Sequence, residues 1–188
     1  NIKRGESFDN EKNRNINKLI SQILDEYECV KSMPLPLAYN DIWKDKYGKK
    51  LEKNPIRPFL MQLYETWLLK EQKSRLNLSD AGVGKTLAAV LASQACNSKL
   101  TLIFTPKHVI DSWELTFSNA FPNVEILRQT WKPNWKKKDN RVLIINYERL
   151  KTEPKTHNQI MHFAQNQEVG FVVLDETHIA KQRGSLET

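Results

Sequence analysis

The stretch "LNLSDAGVGKTLAAVLAS", residues 76–93, decides how this chain folds. A short β-prone run enters a Gly-Val-Gly-Lys-Thr turn, and the turn passes without a break into Ala- and Leu-rich residues of high helix propensity. Strand, small-residue turn and helix in that order build a phosphate-binding loop. Backbone N–H groups close around the anion, a lysine reaches the outer phosphates and a hydroxyl holds magnesium. Gly82, Val83, Gly84, Lys85 and Thr86 fill those places, with Thr86 as the magnesium-side hydroxyl. Ser79 stands where the strict GxxxxGK[ST] pattern has glycine.

On either side of the loop, short apolar runs alternate with helical ones: "SRLNLS", "LTLIFTP", "VEILR", "RVLIINY" and "GFVVLDE". Several are apolar on both faces, which predicts a parallel sheet sandwiched between helix layers, an α/β fold. A phosphate loop also needs carboxylates to support magnesium and to activate water. "FVVLDETH", residues 171–178, offers them at the end of a strand. Asp175 is the expected magnesium support and Glu176 the residue that orients or deprotonates the attacking water.

Upstream of the loop, the pattern Ile56, Phe59, Leu60, Leu63, Tyr64, Trp67, Leu68 predicts a helix with Pro58 in its first turn. Earlier still, Ile16, Leu19, Ile20, Ile23, Leu24 and Tyr27 share one face of an amphipathic helix that should pack on something. Pro34 and Pro36 break regular structure, and "NDIWKDKYG" reads as a short helix capped by Asn40 and stopped by Gly48. Residues 1–54 thus form a small helical accessory extension and 55–188 one nucleotide-binding lobe, as 188 residues allow. The chain opens on Asn1 rather than Met, as a piece of a longer protein would.

The formal net charge is +7, and residues 128–141, "RQTWKPNWKKKDNR", hold six Lys or Arg against one Asp. Interleaved with Trp131 and Trp135, this segment reads either as a nucleic-acid backbone contact with aromatic stacking or as a solvated hairpin. Cys29 and Cys96 form neither a CxxC nor a His-Cys cluster, which argues against a zinc site or a disulfide framework. No run reaches the roughly eighteen apolar residues that a membrane span needs, so the expectation is an intracellular protein without a membrane partner.

Loop and acidic box together resemble helicase superfamily two, whose first RecA-like lobe carries an A/S-x-x-G-x-G-K-T loop and a later D-E-x-H box. "SDAGVGKT" fits that looser form. "LIFTPKHVIDSWELTF" is similar to a segment of the SWI/SNF-type ATPases in which a strand ends at a proline and a tryptophan follows, here Pro106 and Trp113. "VLIINYERL" resembles their Y-E-x-L segment at Tyr147, Glu148 and Leu150. "DETHIAKQ" resembles their D-E-A-H-x-x-K-N, with Lys181 matching and Gln182 replacing Asn. "IRPFLMQLYETWLL" is similar to the segment whose glutamine reads adenine, which marks Gln62.

The resemblance runs from Ile56 to the C-terminus. It implies a RecA-like P-loop domain that uses ATP and Mg2+, with Lys85, Asp175, Glu176 and His178 in the catalytic set. His178 would couple nucleotide state to the rest of the site or simply cap the strand end. Thr105 and Lys107 fall in the region that touches a nucleic-acid backbone, to which Lys136, Lys137 and Lys138 would add contacts. In such proteins the next motif and a second RecA-like lobe follow, and that lobe supplies an arginine to the transferring phosphoryl group. The expectation is therefore a SWI/SNF-like DNA-dependent ATPase lobe that moves on duplex DNA and is nearly inactive as an isolated chain. A strand-separating helicase, a restriction-type motor lobe and a nucleotide-gated interaction module without turnover remain alternatives.

Overall fold

The computed structural model describes residues 2–77, 82–129, 140–166 and 169–177. The chain divides into two units, Asn1–Pro34 and Leu35–Thr188. The first is one helix, α1 (Ile2–Ser32), longer than its apolar stripe required. Ile16, Leu19, Ile20, Ile23, Leu24 and Tyr27 of that stripe all fall within this helix.

The second unit is built on two strands that are buried along their whole length. β1 (Leu100–Thr105) and β3 (Arg141–Asn146) are runs of six residues, every one buried, so both faces of each must be covered. They pair in parallel; β2 (Glu125–Arg128) pairs with β3 and β4 (Val169–Leu174) with β1, again in parallel, in the order β2-β3-β1-β4. Alternate residues point to opposite faces, as the two-residue strand period requires. Ile103, Val142 and Ile144 pack with Leu87, Val90 and Leu91 of α3 (Lys85–Ala95) and with Ile110, Trp113, Phe117 and Ala120 of α4 (Ile110–Ala120). Leu100, Leu102, Phe104, Leu143 and Ile145 pack on the other side with Leu127, with Tyr147 and Leu150 of α5 (Tyr147–Thr152) and with Ile160 of α6 (Pro154–Gln165). This is the expected α/β arrangement, a parallel sheet between two helix layers.

Four local readings differ from the structure. α2 (Leu60–Gln72) starts after Pro58, not around it, because the Gln62 side chain accepts from Phe59 N and fixes the N-terminus there. "NDIWKDKYG" is not a helix. Asn40 and Asp45 bond nearby backbone instead: Oδ1 of Asn40 accepts from Ile42 N, and Oδ1 of Asp45 accepts from Tyr47 N and Lys49 N. Such local acceptors compete with helix formation, and Lys44 and Lys50 form an antiparallel bridge in its place. Ser74–Asn77, the described part of "SRLNLS", lie in no strand. β4 is half-buried, with Val172 and Leu174 on the face that is left exposed among the described residues.

The expected accessory region 1–54 spans both units. Residues 35–54 pack in the second: Asn40 N donates to Ala120 O, Tyr39 meets the Phe121 ring edge-on, and Asn119 holds Lys44 through both of its side-chain polar atoms.

Candidate functional site

The two halves of the site come together because β1 and β4 are parallel neighbours whose C-terminal ends lie side by side. Asp175 N donates to Phe104 O at 2.8 Å and continues the ladder one residue past β4. There the Asp175 carboxylate is fixed: Oδ2 accepts from Thr105 Oγ1 at 2.9 Å and from the Trp113 indole Nε1 at 2.8 Å. The Tyr147 hydroxyl donates to the Asp175 carbonyl at 2.5 Å. Burial above all, then the charges of Asp175 and Glu176, push the Tyr147 phenol up to about 12, so it remains a donor through the neutral range. Three segments singled out in the sequence, ending at Thr105, containing Trp113 and opening at Tyr147, thus converge on one carboxylate.

On the other wall, α3 begins at Lys85, with Gly84 as its N-cap. Gly82 and Gly84 have φ of +82° and +83°, the left-handed region where glycine is favoured. At Gly84 space is also restricted, since a Cβ would lie 2.2 Å from Gln62 Nε2. Among the described residues no side-chain hydrogen bond caps α3, and a helix N-terminus carries first-turn N–H groups and the positive end of the dipole, as an anion site needs.

Lys85 and Thr86 from this wall, and Trp113, Asp175 and Glu176 from the other, line a single cavity of about 440 Å³. Glu176 sits at φ +52°, a strained conformation for a residue with a Cβ and one that recurs at functional sites. Arg75 and Glu65 close another side, paired through Nε–Oε2 at 2.7 Å and Nη2–Oε1 at 3.1 Å.

Magnesium fits this donor set. It takes hard oxygen ligands, one or two from protein, and fills the rest of its shell with water and substrate phosphate. The Thr86 hydroxyl and the Asp175 carboxylate supply that kind of donor on one cavity, and among the described residues there is no cluster of three or more His, Cys, Asp or Glu of the sort a protein-only metal cage needs.

Gln62 is only 5% exposed. Its Oε1 accepts from Phe59 N and its Nε2 donates to Gly84 O at 3.1 Å, so it ties the start of α2 to the phosphate loop. Thr105, expected as a nucleic-acid contact, lies with its side chain fully buried and its hydroxyl donating to Asp175 Oδ2. Lys107 is exposed, in the 3-10 turn Lys107–Val109 between β1 and α4. His178 and Lys136, Lys137 and Lys138 lie outside the described residues, as do Ser79, Trp131, Trp135, Lys181 and Gln182. Of the other charges in the basic segment, Arg128 is paired with Asp111 and Glu114 of α4, and Arg141 is buried at the start of β3.

Sequence reasoning noted Trp113 and Tyr147 without a role and passed over Glu65 and Arg75. A hydrogen-bonding aromatic inside an otherwise apolar helix face is the signal for Trp113, since a buried indole N–H needs an acceptor.

Residues 53–187 match the family described as type III restriction enzyme, res subunit. A similar solved structure is the Sulfolobus solfataricus SWI2/SNF2 ATPase core in complex with dsDNA, at 16% identity, covering 81% of this chain and 36% of that one with a TM-score of 0.47. No curated protein matches the chain.

Proposed function

The chain belongs to the family described as type III restriction enzyme, res subunit, and so is a RecA-like lobe of the helicase-like ATPases of superfamily two; on that premise we propose that it is the ATP-binding half of a motor that moves on duplex DNA. One observation carries the reading most: Asp175, held at one oxygen by Thr105 and Trp113, shares a cavity with Lys85, Thr86 and Glu176.

In this reading the α3 N-terminus and Lys85 bind the ATP phosphates, and Thr86 and Asp175 hold Mg2+. The metal, when bound, neutralises charge developing on the phosphoryl oxygens. Glu176 orients the attacking water and takes its proton. Trp113 and Thr105 restrict the Asp175 carboxylate to one orientation, and Tyr147 fixes its backbone. Gln62, by binding Gly84, holds the loop in register, and it is also the residue proposed to meet adenine. His178 couples nucleotide state to the rest of the site. Lys107 and the lysines at 136–138 supply backbone contacts that are insensitive to sequence and sensitive to salt.

Lobe closure against a second RecA-like lobe would complete the engine. An arginine delivered from such a lobe accelerates phosphoryl transfer by about three to five powers of ten. The isolated chain is therefore expected to bind ATP and hydrolyse it very slowly. The family match favours a restriction-type motor, and the Pro106–Trp113 and Tyr147–Leu150 segments favour a SWI/SNF-like translocase.

The test is ATP hydrolysis by the longest natural form, with no nucleic acid, single-stranded DNA, duplex DNA and RNA in parallel, and Glu176→Gln as control. Stimulation by duplex DNA that disappears in the control supports the motor. Stimulation by single strands or RNA alone points to a strand-separating helicase. ATP binding without turnover, unchanged by Glu176→Gln, points to a nucleotide-gated module.

A further inference from the structure

The residues that were expected to form a helix before the lobe instead build a stiff, strongly basic hairpin, Trp43 to Leu51. Leu51 N donates to Trp43 O at 3.0 Å and Asp45 N to Lys49 O at 2.8 Å, and Lys44 pairs with Lys50. Asn54 bonds both the N–H and the carbonyl of Trp43, and Asn119 of α4 does the same for Lys44. The tip turns at Gly48, φ +83°, with the Asp45 carboxylate turned back onto Tyr47 N and Lys49 N. What the tip presents is Tyr47, 82% exposed, with Lys46 Nζ 5.0 Å from its ring centroid. Lys44, Lys46, Lys49, Lys50 and Lys53 are all exposed around it, and among the described residues no ion pair holds any of the five.

Two acidic side chains lie within 44–53, and Asp45 faces the turn. Like charges held together on a rigid support repel one another, and a tyrosine ring held in water is unfavourable; a ligand that relieves both is polyanionic and carries flat apolar faces. We infer that the Trp43–Leu51 hairpin is a nucleic-acid contact, in which Lys46, Lys49 and Lys50 meet successive phosphates of one strand and Tyr47 stacks on a base or sugar. It is distinct from the contact proposed at Lys107. The hairpin is anchored at Asn119, near the end of α4, and Lys107 precedes its start, so the 11-residue helix separates the two by about 16 Å.

The experiment is fluorescence anisotropy with the full chain, using a labelled single-stranded oligonucleotide and a duplex, without nucleotide and across a salt series. Leaving out ATP makes the result independent of the motor reading: a failed ATPase assay leaves this proposal standing, and the reverse. The triple change Lys46→Gln, Lys49→Gln, Lys50→Gln should weaken binding at least about tenfold and lower the slope of log K against log salt by about two on the single strand and nearly three on the duplex. Tyr47→Ala should weaken the single strand by about tenfold and the duplex less, since stacking needs an open base face. Replacing the same three lysines with arginine should preserve binding, and all variants should keep the wild-type melting temperature because the altered side chains are exposed. Unchanged affinity and salt slope in the triple Gln variant would overturn the inference. So would wild-type binding to an acidic polypeptide as tight as to the oligonucleotide, which would make the hairpin a protein-docking element.

Discussion

Trp113 donates its indole N–H to Asp175 Oδ2 from a position that is otherwise apolar core, between α3, α4 and the sheet. Trp113→Phe keeps most of the ring volume and removes that one donor. A hydrogen bond to a charged group contributes about 1.5–3 kcal/mol, so the variant should melt lower and need more magnesium for half-maximal ATP binding. A variant with a lower melting point and an unchanged magnesium midpoint would reduce Trp113 to a packing role. Gly84 gives a second residue-level test. Alanine there must adopt φ +83° and place its Cβ against Gln62 Nε2. Left-handed backbone at a residue with a Cβ costs about 1–2 kcal/mol before any clash, so Gly84→Ala should both destabilise the lobe in urea and weaken ATP binding. Gln62→Ala on that background should relieve the clash part of the defect and leave the backbone part.

Among elements, the 35–54 strap is tied to α4 in part through one side chain. Asn119 accepts from Lys44 N at 2.8 Å and donates to Lys44 O at 2.9 Å while itself nearly buried. Asn119→Ala should cost about 1–3 kcal/mol in chemical denaturation and raise hydrogen exchange through the hairpin, because it leaves two backbone groups without their partner. Exchange confined to α4 would contradict that. The same elements show what was legible in the sequence. β1 and β3 could be read directly because runs such as Leu100–Phe104 are apolar on both faces, and only a doubly covered parallel strand requires that. The loop glycines and the acidic pair at the end of β4 were legible for a similar reason, since few other structures demand those residues in that order. The hairpin was not, because Asn40 and Gly48 signal a helix cap and stop as well as they signal turns, and only the tertiary partner Asn119 decides between them. The bond from the Thr105 hydroxyl to Asp175 was not legible, because the sequence neighbourhood marks the strand end but carries no information on which way the hydroxyl points. Gln62, read as an adenine contact, is seen bonded to Phe59 and Gly84, contacts that depend on a helix start two residues later than Pro58.

Over the whole molecule, stability should depend on pH at the alkaline end. Tyr39 and Tyr147 have phenols pushed from 10.0 up to about 12, in both cases mainly by burial. A raised pKa means that the unfolded chain releases these protons first. Stability should therefore be intact below pH 10, fall as the pH rises from 10 through about 12, and level off beyond. Thermal melts across that window check it, and Tyr147→Phe should flatten part of the fall; an unchanged alkaline profile in that variant would mean its phenol is not involved. Whether Lys85, Thr86 and Asp175 form one magnesium-nucleotide site is decided by equilibrium binding of ATP to the chain, with and without Mg2+, in wild type and Lys85→Ala. Binding should tighten with magnesium and weaken at least about tenfold in the variant, a loss of about 1.4 kcal/mol or more. Binding that is indifferent to magnesium and equal in both proteins would contradict it.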